Sequence, residues 1–231
     1  MPSLNRLWAA SEQTMAFGLP QTATSRFPEQ NQLLFALPDE ARELIYPHLD
    51  AVELRRGDVL YESCARPRYI YFPTTSIVWL QYTLDDGAST EIAMVGKDGL
   101  VGYPLIMGGD SSPHCAVVRN AGRAYRFKGQ MLQEAFSRSA PLRLLLLRYM
   151  QSLFTQIAQK ALCNRHHSVQ QRLCRWLLLN VDRLPPHDAT ITQEMIAGML
   201  GVRRESVTEA AGHLQAVSAI QYHRGRITVL D

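Results

Sequence analysis

The side chains with the sharpest chemical meaning in this 231-residue chain lie near its C-terminus. Arg203, Arg204 and Glu205 stand together, with Ser206 and Thr208 just beyond them. Arginine can donate two hydrogen bonds to the O6 and N7 edge of a guanine, and glutamate can accept from the N4 amine of a cytosine; hydroxyls suit phosphate oxygens or a thymine methyl. Such groups read a base edge only if one rigid element presents them together. Counted from Gln193, the fifth residue is Ala197, small enough for two helix backbones to approach, and the ninth is Gly201, where a left-handed turn is cheap only for glycine. Ile196, Leu200, Val202, Val207 and Ala210 fall where two such helices must pack together. Thr192 is placed to cap the first. The pattern predicts a helix-turn-helix with Arg203 to Thr208 at the start of its second helix, the end that enters a major groove. An ordinary helical hairpin with a solvated Arg-Arg-Glu end is the alternative.

The residues after the second helix favour the DNA-reading motif. Residues 219–222 and 226–230 are short β-prone runs joined through His223-Arg224-Gly225, a tight-turn signal. They predict a wing whose Arg224 and Arg226 can reach a DNA backbone. The charge balance agrees without forcing the reading: the net charge is +3, and from Arg165 onward eight arginines face six acids. Local clusters at 203–204 and 224–226 matter more than that sum.

Upstream elements must hold this unit in place. Val169, Leu173, Trp176 and Leu177 share one face of a supporting helix that ends before Pro185-Pro186, with residues 164–168 as a hinge. Before the hinge, Pro141 fits the first turn of a long helix. Along it Leu142, Leu146, Tyr149, Leu153 and Ile157 recur at spacings of four, three, four and four. That is a coiled-coil-like seam and predicts a homodimer interface. Leu144, Leu145, Leu147 and Phe154 widen the stripe enough to cover the body as well. A purely intramolecular core helix is the alternative.

Residues 129–138 form a shorter helix. From Ala51 to Phe127, β-prone runs alternate with turn signals such as Arg56-Gly57-Asp58 and Asp85-Asp86-Gly87, the texture of a sandwich or roll. Residues 31–50 read as short helices around Pro38, with Asp39 capping the second, and residues 1–28 as a flexible arm. The expected fold class is α+β: a jelly-roll-like β-roll over 29–139, a long dimerisation helix and hinge over 140–164, and a winged helix-turn-helix over 165–231.

Cys64, Cys115, Cys163 and Cys174 form no CxxC pair and no N-terminal cluster suited to an iron–sulfur centre, so neither metal nor cofactor is expected. No run is long and apolar enough to span a membrane, and residues 1–20 lack a signal-peptide pattern; the expected location is cytoplasmic.

The motif residues resemble the Crp/Fnr family of bacterial transcription regulators, on Thr192-Gln193-Glu194-Met195-Ile196-Ala197, Leu200-Gly201-Val202, Arg204-Glu205-Ser206-Val207 and Arg224-Gly225-Arg226-Ile227. The resemblance extends more weakly over residues 30–231. It implies a cyclic-nucleotide-binding-like sensor roll, a dimer across the long helix, double-stranded DNA and RNA polymerase as partners, and base-reading roles for Arg204 and Glu205. The chain departs from the family at Glu209, where an arginine often stands, and carries Gly212 inside the second helix. That glycine either allows close packing or loosens the helix end.

In the family's nucleotide-binding members a Gly-Glu pair in a short helical turn holds the ribose, and an arginine with a small hydroxyl residue after it holds the phosphate. A carboxylate can accept from the 2′-OH, and a phosphate needs a cation. The corresponding stretch here is read as Gly96-Lys97-Asp98-Gly99, with lysine at the glutamate position, and Ser111-Ser112-Pro113-His114-Cys115 offers no arginine. Cyclic-nucleotide binding is therefore not expected. Lys97, Ser111, Ser112 and His114 form a candidate effector pocket for another anion, with His114 able to titrate near neutrality. Two further readings stay open: a winged-helix module that docks a protein, and a cupin-like metal enzyme. The second is disfavoured because His114 is the only roll histidine beyond residue 48 and no metal-spaced pair accompanies it.

Overall fold

The computed structural model describes residues 28–83, 89–109, 111–183, 193–223 and 226–230. The alternating β-prone runs become β1 (Asp50–Leu54), β2 (Val59–Tyr61), β3 (Tyr69–Pro73), β4 (Ile77–Thr83), β5 (Ser89–Val95), β6 (Cys115–Asn120) and β7 (Gly122–Lys128). They pair antiparallel in two sheets, ordered β1-β7-β3 and β2-β6-β4-β5. The Arg56-Gly57-Asp58 signal is a real turn: Gly57 has φ +92°, and the Asp58 carboxylate accepts from the Arg55 amide at 2.7 Å. Asp85-Asp86-Gly87 lies outside the described residues.

Strand β4 has four consecutive buried residues, Ile77 to Leu80, because both of its faces are covered. Val78 and Leu80 point into the roll with Ala93, Val95, Ala116 and Val118. Ile77 and Trp79, joined by Met94 of β5, instead lie beneath the C-terminal helices.

At the N-terminal side are α1 (Gln32–Phe35) and α2 (Asp39–Ile45). The cap expected from Asp39 is corrected: the N-cap is Pro38, and Asp39 sits in the first turn, where its charge suits the positive helix end. The side-chain cap is Asn31, which accepts from the Leu33 and Leu34 amides and donates to the carbonyls of Pro73 and Gly99, both at 2.8 Å. One fully buried amide thus ties the entry helix to the roll.

After β7 come α3 (Gly129–Arg138) and the long α4 (Ala140–His166), which Ser139 caps and Pro141 opens. The dimer seam read from spacing is corrected. Leu142, Leu146 and Leu153 are 0%, 1% and 3% exposed within one chain. Tyr149 donates its hydroxyl to the Leu100 carbonyl at 2.8 Å, and Ile157 packs at the edge of the same core. These residues face the roll, so they offer little or no surface to a second copy. Leu144, Leu147, Phe154 and Leu162 are about half exposed on the other side.

The hinge is short. Helix α4 runs to His166, and α5 (Val169–Val181) starts at once under a capping box between Ser168 and Gln171. Beyond it lie α6 (Gln193–Leu200), α7 (Arg204–Ala216) and the wing strands β8 (Ile220–His223) and β9 (Arg226–Val229). None of the described helices is long and apolar enough to cross a membrane.

The inward direction of α4 has a direct check. Leu146→Ala is expected to cost ~2–5 kcal/mol in urea unfolding, the range for a leucine truncated inside a packed core. A loss below ~1 kcal/mol would place Leu146 outside the core.

Candidate nucleic-acid interface and the interior of the roll

The turn between α6 and α7 is built as its residue types require. Gly201 adopts φ +62°, and the Val202 amide reaches back to the Ala197 carbonyl at 3.0 Å. Ile196, Ala197, Leu200, Val207, Ala210, Ala211 and Leu214 are all buried, joined to Leu173, Trp176 and Leu177 of α5. Arg172 of α5 donates to the Leu200 carbonyl, placing a cation at the negative C-terminal end of α6. The second helix therefore cannot roll about its axis without breaking a shared core.

That fixed helix presents its N-terminal end to solvent. Arg203 is the N-cap residue, and its carbonyl accepts from Ser206 and Val207. Arg203, Arg204, Glu205 and Thr208 are exposed and Ser206 is half-buried. The Thr208 hydroxyl lies 3.1 Å from both the Arg204 carbonyl and the Gln193 side-chain oxygen. Gln193, on the first helix, thereby steadies a residue of the second, a contact the spacing argument did not isolate. Glu209 is exposed one turn beyond Glu205 on the same face. A Cβ at Gly212 would meet open space, so that glycine serves no close packing. Thr192 and Arg224 lie outside the described residues; the backbone of Arg226 opens β9, and its side chain is outside the description.

In the roll the candidate effector residues do not form one pocket. Ser112 and His114 are fully buried and bonded to each other, with Ser112 Oγ 3.3 Å from His114 Nδ1. Ser111 is exposed, and Lys97 sits in the turn after β5, where its carbonyl accepts from the Gln32 amide. The surroundings of His114 are aromatic. Tyr61 Oη lies 2.9 Å from His114 Nε2, and the Tyr103 ring stacks on the imidazole at 5.2 Å and 17°. Tyr82 closes a third side. Burial pushes the Tyr61 phenol up and holds His114 down at about 4. The expectation that His114 titrates near neutrality is thus corrected.

The alignment of the ribose turn is corrected too. The short helical turn forms at Tyr103–Leu105, not at Gly96. Gly102 precedes it with φ +105°, and a Cβ there would come within 2.9 Å of the Tyr69 carbonyl oxygen, so only glycine fits. The residue after this required glycine is Tyr103, an apolar ring where a nucleotide-holding turn carries a carboxylate. Its signal was present in Gly102-Tyr103-Pro104, a glycine and a proline bracketing a turn. Among the described residues, no three His, Cys, Asp or Glu side chains converge as a metal site.

Known proteins divide along the same boundary. A family model described as a cyclic nucleotide-binding domain matches residues 51–139, and one described as a Crp-like helix-turn-helix domain matches residues 171–231. FixK2 from Bradyrhizobium japonicum is similar in structure, with TM-score 0.70, 17% identity and coverage of 79% of this chain and 93% of that one. The c-di-GMP-responsive global regulator CLP from Xanthomonas campestris has TM-score 0.66 at 16% identity, covering 84% of this chain and 100% of its own. A transcriptional regulator of the Crp/Fnr family from Eubacterium rectale has TM-score 0.66 at 17% identity, covering 88% and 95%. No curated protein matches the chain.

The buried imidazole yields a pH signature. Its ordinary value of 6.5 falls to about 4 in the folded chain. Between those values the unfolded chain binds a proton that the native chain refuses. His114 therefore lowers stability progressively as pH falls through this window and adds no further loss below it. Replacing it with glutamine should flatten that part of the profile, read as the difference in urea-unfolding free energy between the two proteins from pH 7 to pH 4. Parallel profiles would contradict a neutral, buried His114.

Proposed function

Because this chain belongs to the Crp/Fnr family of transcription regulators, we propose that it acts as a dimeric, sequence-specific DNA-binding regulator whose roll takes no cyclic nucleotide. The observation that carries the reading is the start of α7. Arg203, Arg204, Glu205 and Thr208 project into solvent from a helix whose other side is locked by Val207, Ala210, Ala211 and Leu214. Arg204 and Glu205 read base edges, while Arg203, Ser206 and Thr208 fit phosphates. Thr192 and the wing arginines Arg224 and Arg226 would add backbone contacts.

The dimer surface is the outward stripe of α4. Leu144, Leu147, Gln151, Phe154, Ala158 and Ala161 are exposed or half-buried and recur at alternating spacings of three and four, the period of a two-helix seam. A groove between this stripe and Ile106 and Met107 would receive the partner helix. Two copies then offer two α7 helices to successive major grooves, with half-sites ~34 Å apart. The protein works on DNA in the cytoplasm, with RNA polymerase as the partner through which it alters transcription.

Against cyclic nucleotide stands the filling of the roll. The site that would take a ribose and a phosphate holds Tyr103 and a neutral His114 stacked on each other. Besides Tyr103, His114 is contacted by Tyr61, Tyr82 and Ser112, a phenol-and-hydroxyl set with no charge to hold a phosphate.

Selection of genomic fragments by the purified protein tests the reading. A palindrome should emerge, and Arg204→Ala should lose ~1–3 kcal/mol on it while relaxing one base position. A loss confined to salt-dependent, sequence-blind affinity would remove Arg204 from base reading. Leu147→Glu with Phe154→Glu should sediment as a monomer and lose the palindrome, whereas added cyclic AMP should change neither property. Recovery of no palindrome, together with capture of a protein by the exposed α7, would favour the docking-module reading.

A further inference from the structure

We infer that Asp98 and Arg183 form a releasable latch, through which the turn leading into the roll's interior sets the pose of the DNA-binding domain. The pair joins residues far apart in sequence. Arg183, just past the end of α5, donates from Nε to Asp98 Oδ1 at 3.0 Å and from Nη2 to Asp98 Oδ2 at 2.6 Å. This two-point fork fixes orientation as well as distance. Arg183 is 9% exposed, and its remaining nitrogen Nη1 donates to the Leu179 carbonyl.

The turn is shaped to receive that arginine. A Cβ at Gly96 would lie 3.0 Å from three carbons of the Arg183 side chain, so the aliphatic stem occupies the slot that glycine leaves. Asp98 Oδ1 also accepts from the Gly96 amide, which holds the carboxylate over the slot. On the other side of the turn, a Cβ at Gly99 would fall 2.6 Å from the Tyr149 hydroxyl oxygen, and that hydroxyl is bonded to the next carbonyl, of Leu100. Residues 96–99 are thus gripped between α4 and the arginine that follows α5.

The same segment runs directly into the interior. Leu100 and Val101 are fully buried, Gly102 has its constrained φ, and Tyr103 stacks on His114. Tyr103 is thus joined to Asp98 through residues 99–102, anchored midway where Val101 exchanges backbone hydrogen bonds with Tyr71 at 2.8 and 2.9 Å.

The junction beneath the latch can part. It is held by Ile77, Trp79 and Met94 of the roll against Leu173, Trp176, Leu177 and Met199. Its polar atoms are incompletely matched: Glu91 Oε2, Arg172 Nε and Trp176 Nε1 are buried and make no hydrogen bond to the described residues. Glu91 bonds Lys160 through its other oxygen, at 2.7 Å. The Asp98 side chain is 38% exposed, so water and salt compete for Arg183.

The latch rests on the regulatory reading proposed for this chain, but its test reads the junction rather than DNA, so either can fail alone. Trp79 and Trp176 are each 6% exposed at that junction. Tryptophan emission and acrylamide quenching are compared for the full-length wild type and Asp98→Asn, both carrying Trp8→Phe so that Trp79 and Trp176 alone report, with circular dichroism confirming equal helix content. At low salt, D98N is expected to emit further to the red and to be quenched more strongly; sodium chloride should move the wild type towards D98N and leave D98N unmoved. A D98N protein quenched like the wild type at low salt overturns the latch. Should D98N fail to fold, the wild-type titration decides: quenching indifferent to salt overturns it.

Discussion

The burial of Leu142, Leu146, Met150 and Leu153 against the roll is the constraint on which the other features rest. A single stripe of α4 closes the open side of both sheets, and fixing that stripe fixes the rotation of the whole helix. The opposite face, with Leu144, Leu147 and Phe154, is thereby committed to the outside. The exit point at His166 is set relative to the strands, and the capping box at Ser168 restarts the chain in a defined direction within two residues. Helix α7 thus inherits its position from a hydrophobic contact made far from it.

Two kinds of rigidity meet at the C-terminal end. The helices α5, α6 and α7 share one core, so their mutual geometry is determined by packing. Their placement over β4 and β5 depends on a smaller apolar contact and on polar groups at its margin. The first kind keeps Arg204 and Glu205 in register with each other. The second sets where α7 lies over the roll.

Much of this was legible in the residues. The described strands lie in stretches rich in β-branched or aromatic residues between turn signals, and the Gly201 turn and the 203–208 helix start came from spacing alone, because local backbone rules determine them. Two readings failed for a shared reason. Along α4 nearly every face is apolar, so periodicity could find a seam without saying which face turns inward; Leu146 and Leu147 are adjacent and equally hydrophobic. Likewise Gly96 and Gly102 both offer a glycine before a turn, and only the contact with the Tyr69 backbone shows which one the fold requires. The Asp98–Arg183 pair was illegible for a different reason: nothing local relates two residues so far apart in sequence.

The stacked Tyr103 and His114 also bear on how such a roll can change over generations. The pair is uncharged, and His114 is hydrogen-bonded to the neutral hydroxyls of Tyr61 and Ser112. An arginine placed at the fully buried His114 would put a lone charge into that interior, at a cost of several kcal/mol. A single charged replacement there therefore costs stability without building a phosphate site, since the neighbouring Tyr61, Tyr82 and Ser112 carry no charge.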